Sequence, residues 1–458
     1  MHARLPMKTA LVPDAGTRTD GFLAAFEEFE RRCARHGGSW LTPVRKAAIA
    51  RFAELGFPTL QHEDWRFTNV APLAKTTFVL ADRPPQPLSL FDVAPFLPGV
   101  FGGHRLVFVN GAFVPALSRL GTLPAGCVVG SLAEVIEANP DACRTVLARY
   151  AGYQDQPFTA LNTAFLRDGA YVRIPDRTVV AAPIQVLYVT VPSEPPVVTH
   201  PRSLVVVGQS SQATIIESYA ALGEGAYFTN AVTELIAGEN AIVDHYKVEQ
   251  ESIGATHIGR LQFHQGRDSN LSAHCISLGG GLVRHDINAV LAGEGCNCTL
   301  NGLFMLAGGQ HVDNHLRVEH ARPHGMSREN FWGILDGHAH GVFTGRIVVH
   351  KGAQKTDAKQ TNKNLLLSED AQIDTKPELE IFANDVKCTH GATIGQIDRD
   401  ALFYLQARGL SEAAGRSLLT YAFAQNSLAQ IKAEPLRRRL HEAVVTRLPN
   451  GELFRELT

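Results

Sequence analysis

Apolar and polar residues alternate with two different periods along this chain, and the change of period divides it into regions. Near the N-terminus, "GFLAAFEEFERRCARHG" spaces Phe22, Phe26 and Phe29 at four and three residues, the interval that puts side chains on one face of an α-helix. That helix is expected to stop at Gly37-Gly38. "TPVRKAAIARFAELGFP" predicts a second helix, with Thr42 as N-cap, Pro43 at the first helical position, and Gly56 then Pro58 at its end. From about Asn162 to Asp398 the helical period fades, and short β-branched runs alternate with Gly, Asn, Asp and Ser.

Three of these stretches share one shape: "RSLVVVGQSSQATIIESY", "TELIAGENAIVDHYKVE" and "HDINAVLAGEGCNCTLNGLF". Each is an apolar run, a small polar corner centred on glycine, then a second strand. The corner glycines Gly208, Gly238, Gly266 and Gly293 recur at intervals of 30, 28 and 27 residues. "LDGHAHG", "LLLSEDAQID" and "FANDVKCTHG" continue the element with drifting spacing. A parallel β-helix fits this repeat, because each coil can bury its apolar side only against its neighbours. A β-sandwich is the alternative, but its hairpins turn every 8 to 12 residues, roughly a third of the interval seen.

After "IDRD" helical signals return. "DALFYLQARG" ends in Gly409, and the next helix opens with Ser411 as N-cap and Glu412 in its first turn. A third carries Leu436, Leu440, Val444 and Leu448 at four-residue steps. The expected organisation is therefore an N-terminal helical region over residues 1–105, a transition segment over 106–161, a β-helix over 162–397 and a C-terminal helical region over 398–458.

Composition narrows the function classes. The 458 residues include 43 basic and 45 acidic side chains, a net charge of −2, which argues against general nucleic-acid binding. Arg437-Arg438-Arg439 is a tight basic cluster within a helical pattern and reads as a solvated helix face. No stretch has the length and apolarity of a membrane span, and the N-terminus lacks a signal-peptide core. Seven scattered cysteines without a C-x-x-C pair suit a reducing cytoplasm rather than a disulfide framework. No Walker A motif, nucleophile elbow or H-E-x-x-H occurs.

The chemistry-bearing residues concentrate in the β region. "DVKCTHGATIG" sets Cys388 and His390 two residues apart, so in a strand both point to one side, and thiolate and imidazole are preferred ligands of soft and borderline metals. The same two residues also read as a core thiol beside a surface histidine. His311, His315, His320, His324, His338, His340 and His350 lie within forty positions but lack a zinc-site spacing. His338 and His340, in "GHAHG", would share a strand face. Cys296 and Cys298 read as core filling, and Glu217, Glu234 and Asp244 as an exposed ladder.

The block "NKNLLLSEDAQIDTKPELEIFANDVKCTHGATIGQIDRDALFYLQARGL", together with "GFPTLQHEDWRFTNV", "LVFVNGAF", "HPRSLVVVG" and "GRIVVHKGAQKTDAKQTNKNLLLS", resembles the SufD branch of the SufB/SufD family. That family serves the bacterial SUF machinery for assembling iron–sulfur clusters. The resemblance implies a right-handed parallel β-helix between helical regions and a non-enzymatic scaffold. It also implies pairing with a SufB-like subunit, and binding of a SufC-like ATPase through the C-terminal helices from Asp398 to about Ile431. It assigns His390 to the cluster-forming site, with Cys388 beside it, and a transient iron–sulfur cluster at the SufB interface. No ATP site or flavin motif is found in the chain itself, and an exposed β edge would permit self-pairing. Two other readings stand beside this one: a β-helix enzyme acting on polysaccharide, and an autonomous metal-binding protein using the His-rich stretch.

Overall fold

A computed structural model describes residues 19–33, 40–81, 87–97, 103–449 and 451; the expected helix stop at Gly37-Gly38 lies outside them. The chain forms two compact units, residues 1–77 with 152–165, and residues 78–151 with 166–458.

In the first unit, helices Asp20–Cys33, Leu41–Leu55 and Pro157–Ala164 gather an aromatic core. Phe22, Phe26 and Phe29 are all buried. Phe22 meets Phe52 edge-on at 6.1 Å between centroids, Phe52 meets Phe57 at 5.3 Å, and Phe57 meets Phe158 at 5.8 Å, the geometry aromatic quadrupoles prefer. The second helix begins at Leu41 behind Trp40, whose side chain makes no cap. Thr42 and Pro43 therefore lie inside its first turn, where a missing N–H leaves no hydrogen bond unmade. Gly56 ends that helix with φ 64°, its N–H donating to Phe52 O.

The second unit is mainly β, a solenoid of about eight coils. From Arg202–Val207 onward strands alternate between two sheets, each pairing in parallel with the strand two further along. One sheet runs from Ala170–Ile174 to Gln372–Ile381, the other from His104–Val109 to Lys387–Gly395. Apolar side chains of both sheets, such as Val205, Ile215, Leu261, Leu300 and Phe343, fill the lumen.

The corners explain the sequence repeat. Ser210, Asn240, Asp268, His324 and Lys355 each adopt φ between 53° and 62°, the left-handed region that Asn, Asp and His enter more readily than most residues. The N–H of each donates to a corner carbonyl of the next coil: Ser210 to Glu239, Asn240 to Arg267, Asp268 to Glu294, His324 to Gln354. Corner backbones thus stack directly. A Cβ at Gly238 would lie 2.9 Å from Gln209 N, and one at Gly293 only 2.1 Å from Arg267 N, so glycine is required at these positions.

Parallel coil-to-coil pairing replaces the β-sandwich alternative. The sheet also reaches further N-terminal than residue 162, because His104–Val109 pairs in parallel with Ile184–Thr190. That strand is followed by the tight Asn110-Gly111 turn rather than a stacked corner, so it fell outside the repeat. At this end Val128–Ser131 pairs antiparallel with Ala170–Ile174. At the other end, Gln372–Ile381 and Lys387–Gly395 each pair on one side only.

Asp398 caps helix Arg399–Ala407, accepting from Asp400 N and Ala401 N, and Ser411 caps Glu412–Leu428, accepting from Ala414 N. Glu412–Leu428 and Glu434–Val445 lay Tyr421, Leu428, Leu436, Leu440 and Val444 on the outer face of the second sheet, against Val248, Leu303 and Ile334. Helix Arg399–Ala407 buries no side chain.

Candidate functional site

Cys388 and His390 lie on Lys387–Gly395, the terminal strand of the second sheet. In register, Cys388 faces Ala358 and His390 faces Gln360 of the preceding coil. Cys388 packs beside Ile347, Val349 and Ala358, so its thiol is half-buried and on the lumen side. Burial pushes that thiol above its ordinary range, so metal ligation there requires loss of a proton. His390 shares this parity but is exposed, because the solenoid ends with its strand.

Beneath His390 the same column continues inward. Gln360 is in register with Glu329, and Glu329 with Leu300. Gln360 Nε2 donates to Glu329 Oε2 at 2.6 Å, with both side chains buried. The other carboxylate oxygen, Glu329 Oε1, and the amide oxygen, Gln360 Oε1, are buried without a hydrogen-bond partner among the described residues. Desolvation pushes the Glu329 carboxyl up to about 8, so the neutral acid dominates at pH 7. Gly345, on the opposing sheet, makes room for this pair: a Cβ there would lie 2.0 Å from Gln360 Nε2 and 2.8 Å from its Oε1.

The His-rich stretch is dispersed. His320 is buried, its Nε2 3.0 Å from Ser327 Oγ, and His311 stacks edge-on against His340 at 4.8 Å. Burial drives both His311 and His320 down to about 4. His324 occupies a left-handed corner. His338 precedes the strand that His340 begins, so the two do not share a strand face; they pair separately with Asp370 at 3.6 Å and Asp374 at 2.7 Å. Among the described residues no three His, Cys, Asp or Glu side chains converge as a metal site. Cys388 and His390 would therefore supply only part of a ligand set, with soft thiolate and borderline imidazole donors that suit iron.

Cys296 and Cys298 are buried core thiols. The exposed ladder expected of Glu217, Glu234 and Asp244 is corrected: all three are buried, Glu217 on the lumen parity of its strand, and Glu234 and Asp244 on the outward parity, covered by residues 148–151 and by Lys432. Glu234 accepts from Arg202 Nη2 at 2.6 Å and from the N–H groups of Ala148, Tyr150 and Ala151. Glu217 accepts from Ser203 and pairs with His245 at 2.8 Å. Asp244 pairs with Lys432 at 2.7 Å. A second lumen group escaped the sequence reading: Lys247 Nζ donates to His257 Nε2 at 2.9 Å, and His257 Nδ1 donates to Glu251 Oε2 at 2.6 Å. The column Glu329–Gln360–His390 was missed as well; its signal is spacing of 31 and 30 residues, one coil each.

Comparison with known proteins gives this site a setting. The family model "SUF system FeS cluster assembly, SufBD core domain" matches residues 189–423, and "SufBD protein N-terminal region" matches residues 17–186. An iron-sulfur cluster assembly SufBD family protein of Synechocystis sp. is 37% identical over 424 residues, covering 89% of this chain and 91% of its own length. The iron-sulfur cluster assembly protein SufD of Escherichia coli is 30% identical over 90% of this chain and 95% of its own. The SufD of Bacillus subtilis is 26% identical over 92% of this chain and 95% of its own. With its β-solenoid between helical regions and both family regions matched, the chain belongs to the SufBD family of the SUF system for iron–sulfur cluster assembly.

Proposed function

We propose that this chain is a non-enzymatic scaffold subunit that pairs with a SufB-like subunit through the open end of its solenoid. In this reading His390, with Cys388 beside it, contributes ligands to a transient cluster built between the two subunits, and the partner completes the shell. The supporting observation is the open end itself. Two adjoining edge strands offer unpaired backbone groups on one side, and Ile381, Phe382 and Ile394 are exposed beside them. Such edges are usually blunted or covered unless another chain pairs with them. His390 lies on that surface, where a second protein's ligands would meet it.

A SufC-like ATPase is taken to bind the C-terminal helices, chiefly Arg399–Ala407, which exposes Phe403 and Tyr404. The following two helices spend their apolar faces on the sheet. A shell with few ligands from each subunit suits a cluster meant for transfer, since full thiolate ligation would resist release. The chain is read as cytoplasmic, and as able to self-pair through the same edge when its partner is missing.

The test is native mass measurement after co-expression with SufB-like and SufC-like partners, followed by cluster loading of the His390→Ala complex. A heteromer with one copy of this chain, intact but poorly loaded in the variant, is the expected result. A chain that ignores both partners, or a variant complex that loads normally, removes the reading.

A further inference from the structure

The two outer faces of the solenoid treat charge differently over the same last coils. On the first sheet, cations stand beside carboxylates and pair with them. Arg317 meets Glu319 at 2.7 Å, Arg346 and Lys376 each meet Glu378 at 2.8 Å, and His340 meets Asp374 at 2.7 Å. On the second sheet, Arg328, Lys359, Lys363 and Lys387 share the outward parity of the last three strands, since Ala358 and Cys388 take the lumen side. Asp357 is the one carboxylate among the outward positions of those strands, and Arg328 takes it at 3.1 Å. The nearby acids are committed as well: Asp385 pairs with Lys355 at 2.5 Å, and Asp398 caps a helix. Lys359, Lys363 and Lys387 are exposed, and among the described residues no carboxylate pairs with them.

We propose that this lysine face docks an acidic protein. The charge excess is confined to one face, while the chain as a whole carries −2, so it is a local feature rather than a general basicity. Lys359 and Lys363 lie four residues apart on one strand, about 13 Å between their Cα atoms, a spacing that suits separate carboxylates on a protein surface better than one small anion. A nucleic acid calls for a longer basic stripe. Between the lysines stand Thr361, Thr389 and Thr393, short side chains that let another surface approach the sheet closely. The C-terminal helices cover earlier strands of this face through Leu303 and Ile334, but the outward side chains of the last strand are exposed. Pairing along the strand edge would leave the face open, because these side chains stand perpendicular to the sheet. Complementary charge of this kind steers encounter and sets orientation more than it adds affinity. The docking face rests on the charge pattern and not on the reading of His390.

The test uses the full chain and a short labelled polyglutamate as the acidic polypeptide, with binding read by fluorescence anisotropy. Wild type should bind it, and the complex should weaken as salt is raised. The triple variant Lys359→Glu, Lys363→Glu, Lys387→Glu should lose affinity roughly tenfold or more. Arg317→Glu with Lys376→Glu, on the opposite face, should leave binding unchanged. Carbodiimide cross-linking of wild type, which joins a carboxylate to a lysine amine directly, should place polyglutamate on Lys359, Lys363 and Lys387. That readout needs no variant, so the proposal stays exposed to test even if the triple variant fails to fold. Wild type that does not bind polyglutamate, a triple variant that binds as wild type does, or cross-links confined to other lysines overturns the docking face. Equal losses from the two faces also overturn it, since they would show attraction without a site. Tighter binding of oligothymidylate or of phosphatidylserine vesicles at the same lysines gives the face to a nucleic acid or a membrane and overturns an acidic protein as its partner.

Discussion

Glu329 shows how a single residue is shaped by the lumen. Its acid form is favoured in the fold, its bonded partner among the described residues is a neutral amide, and the Cys298 thiol nearby is likewise raised, chiefly by burial. The unfolded chain ionises near 4.5 and the folded one near 8. Wild type therefore loses stability as pH rises between those values, on the order of a few kcal/mol in total. Glu329→Gln carries no such loss. Its melting temperature relative to wild type should climb from pH 5 to pH 9, and a flat difference would show that Glu329 is ionised in the fold. The Arg202–Glu234 pair behaves oppositely. Both side chains are fully buried, and burial's upward push on Glu234 is outweighed by Arg202 and by three backbone N–H donors, so its carboxyl lies below the ordinary range. Arg202→Met leaves a buried carboxylate without its counter-charge and should destabilise by about 3–5 kcal/mol, read by denaturant unfolding.

At the scale of elements, the terminal strand and helix Arg399–Ala407 are the surfaces on which the proposed assembly is tested. The terminal strand Lys387–Gly395 gains little from its own chain, since most of its residues are exposed. Charged replacements at Phe382 and Ile394 together should abolish assembly with a SufB-like partner while moving thermal stability by no more than roughly 0.5 kcal/mol each. Loss of stability instead would mean these side chains serve the fold. Helix Arg399–Ala407 is held by its Asp398 cap and by Leu402 and Leu405 over Gly415, with Phe403 and Tyr404 exposed and Arg408 over the Tyr404 ring. Phe403→Ala with Tyr404→Ala should weaken capture of a SufC-like ATPase at least tenfold in a pull-down titration, without affecting pairing at the solenoid end. Equal capture by variant and wild type would move the ATPase contact elsewhere.

At the scale of the whole molecule, the solenoid tolerates a polar interior because its side-chain columns run in register from coil to coil. Lys247, His257, Glu251 and Glu249 come from neighbouring strands and satisfy one another inside the lumen. Burial raises both Glu249 and Glu251, with Thr229, Tyr227, Lys247 and backbone N–H groups facing them. Acids raised in the fold give stability that is full at low pH and fades as pH rises through their folded values. Wild type should therefore unfold more easily at pH 9 than at pH 6, and the pH dependence should persist, reduced, in Glu329→Gln. If Glu329→Gln erased it entirely, the lumen pair would contribute nothing.

The sequence by itself determined the solenoid, because its corners need residues of one kind: glycine where backbones stack, as at Gly238 and Gly293, and small polar residues where φ turns positive, as at Asn240 and Asp268. It also determined the C-terminal helices, through Ser411 and the four-residue steps from Leu436 to Val444. It brought Cys388 and His390 to one side of one strand, since strand parity is a local property. Tertiary structure alone decided which side faced the lumen. Glu217 and Glu234 alternate like exposed residues yet are buried, one in the lumen and the other beneath residues 148–151, and Glu329, Gln360 and His390 fall into one column only because coils of 31 and 30 residues stack in register. Register between distant strands comes from corner length and lumen packing, which no short stretch of sequence contains.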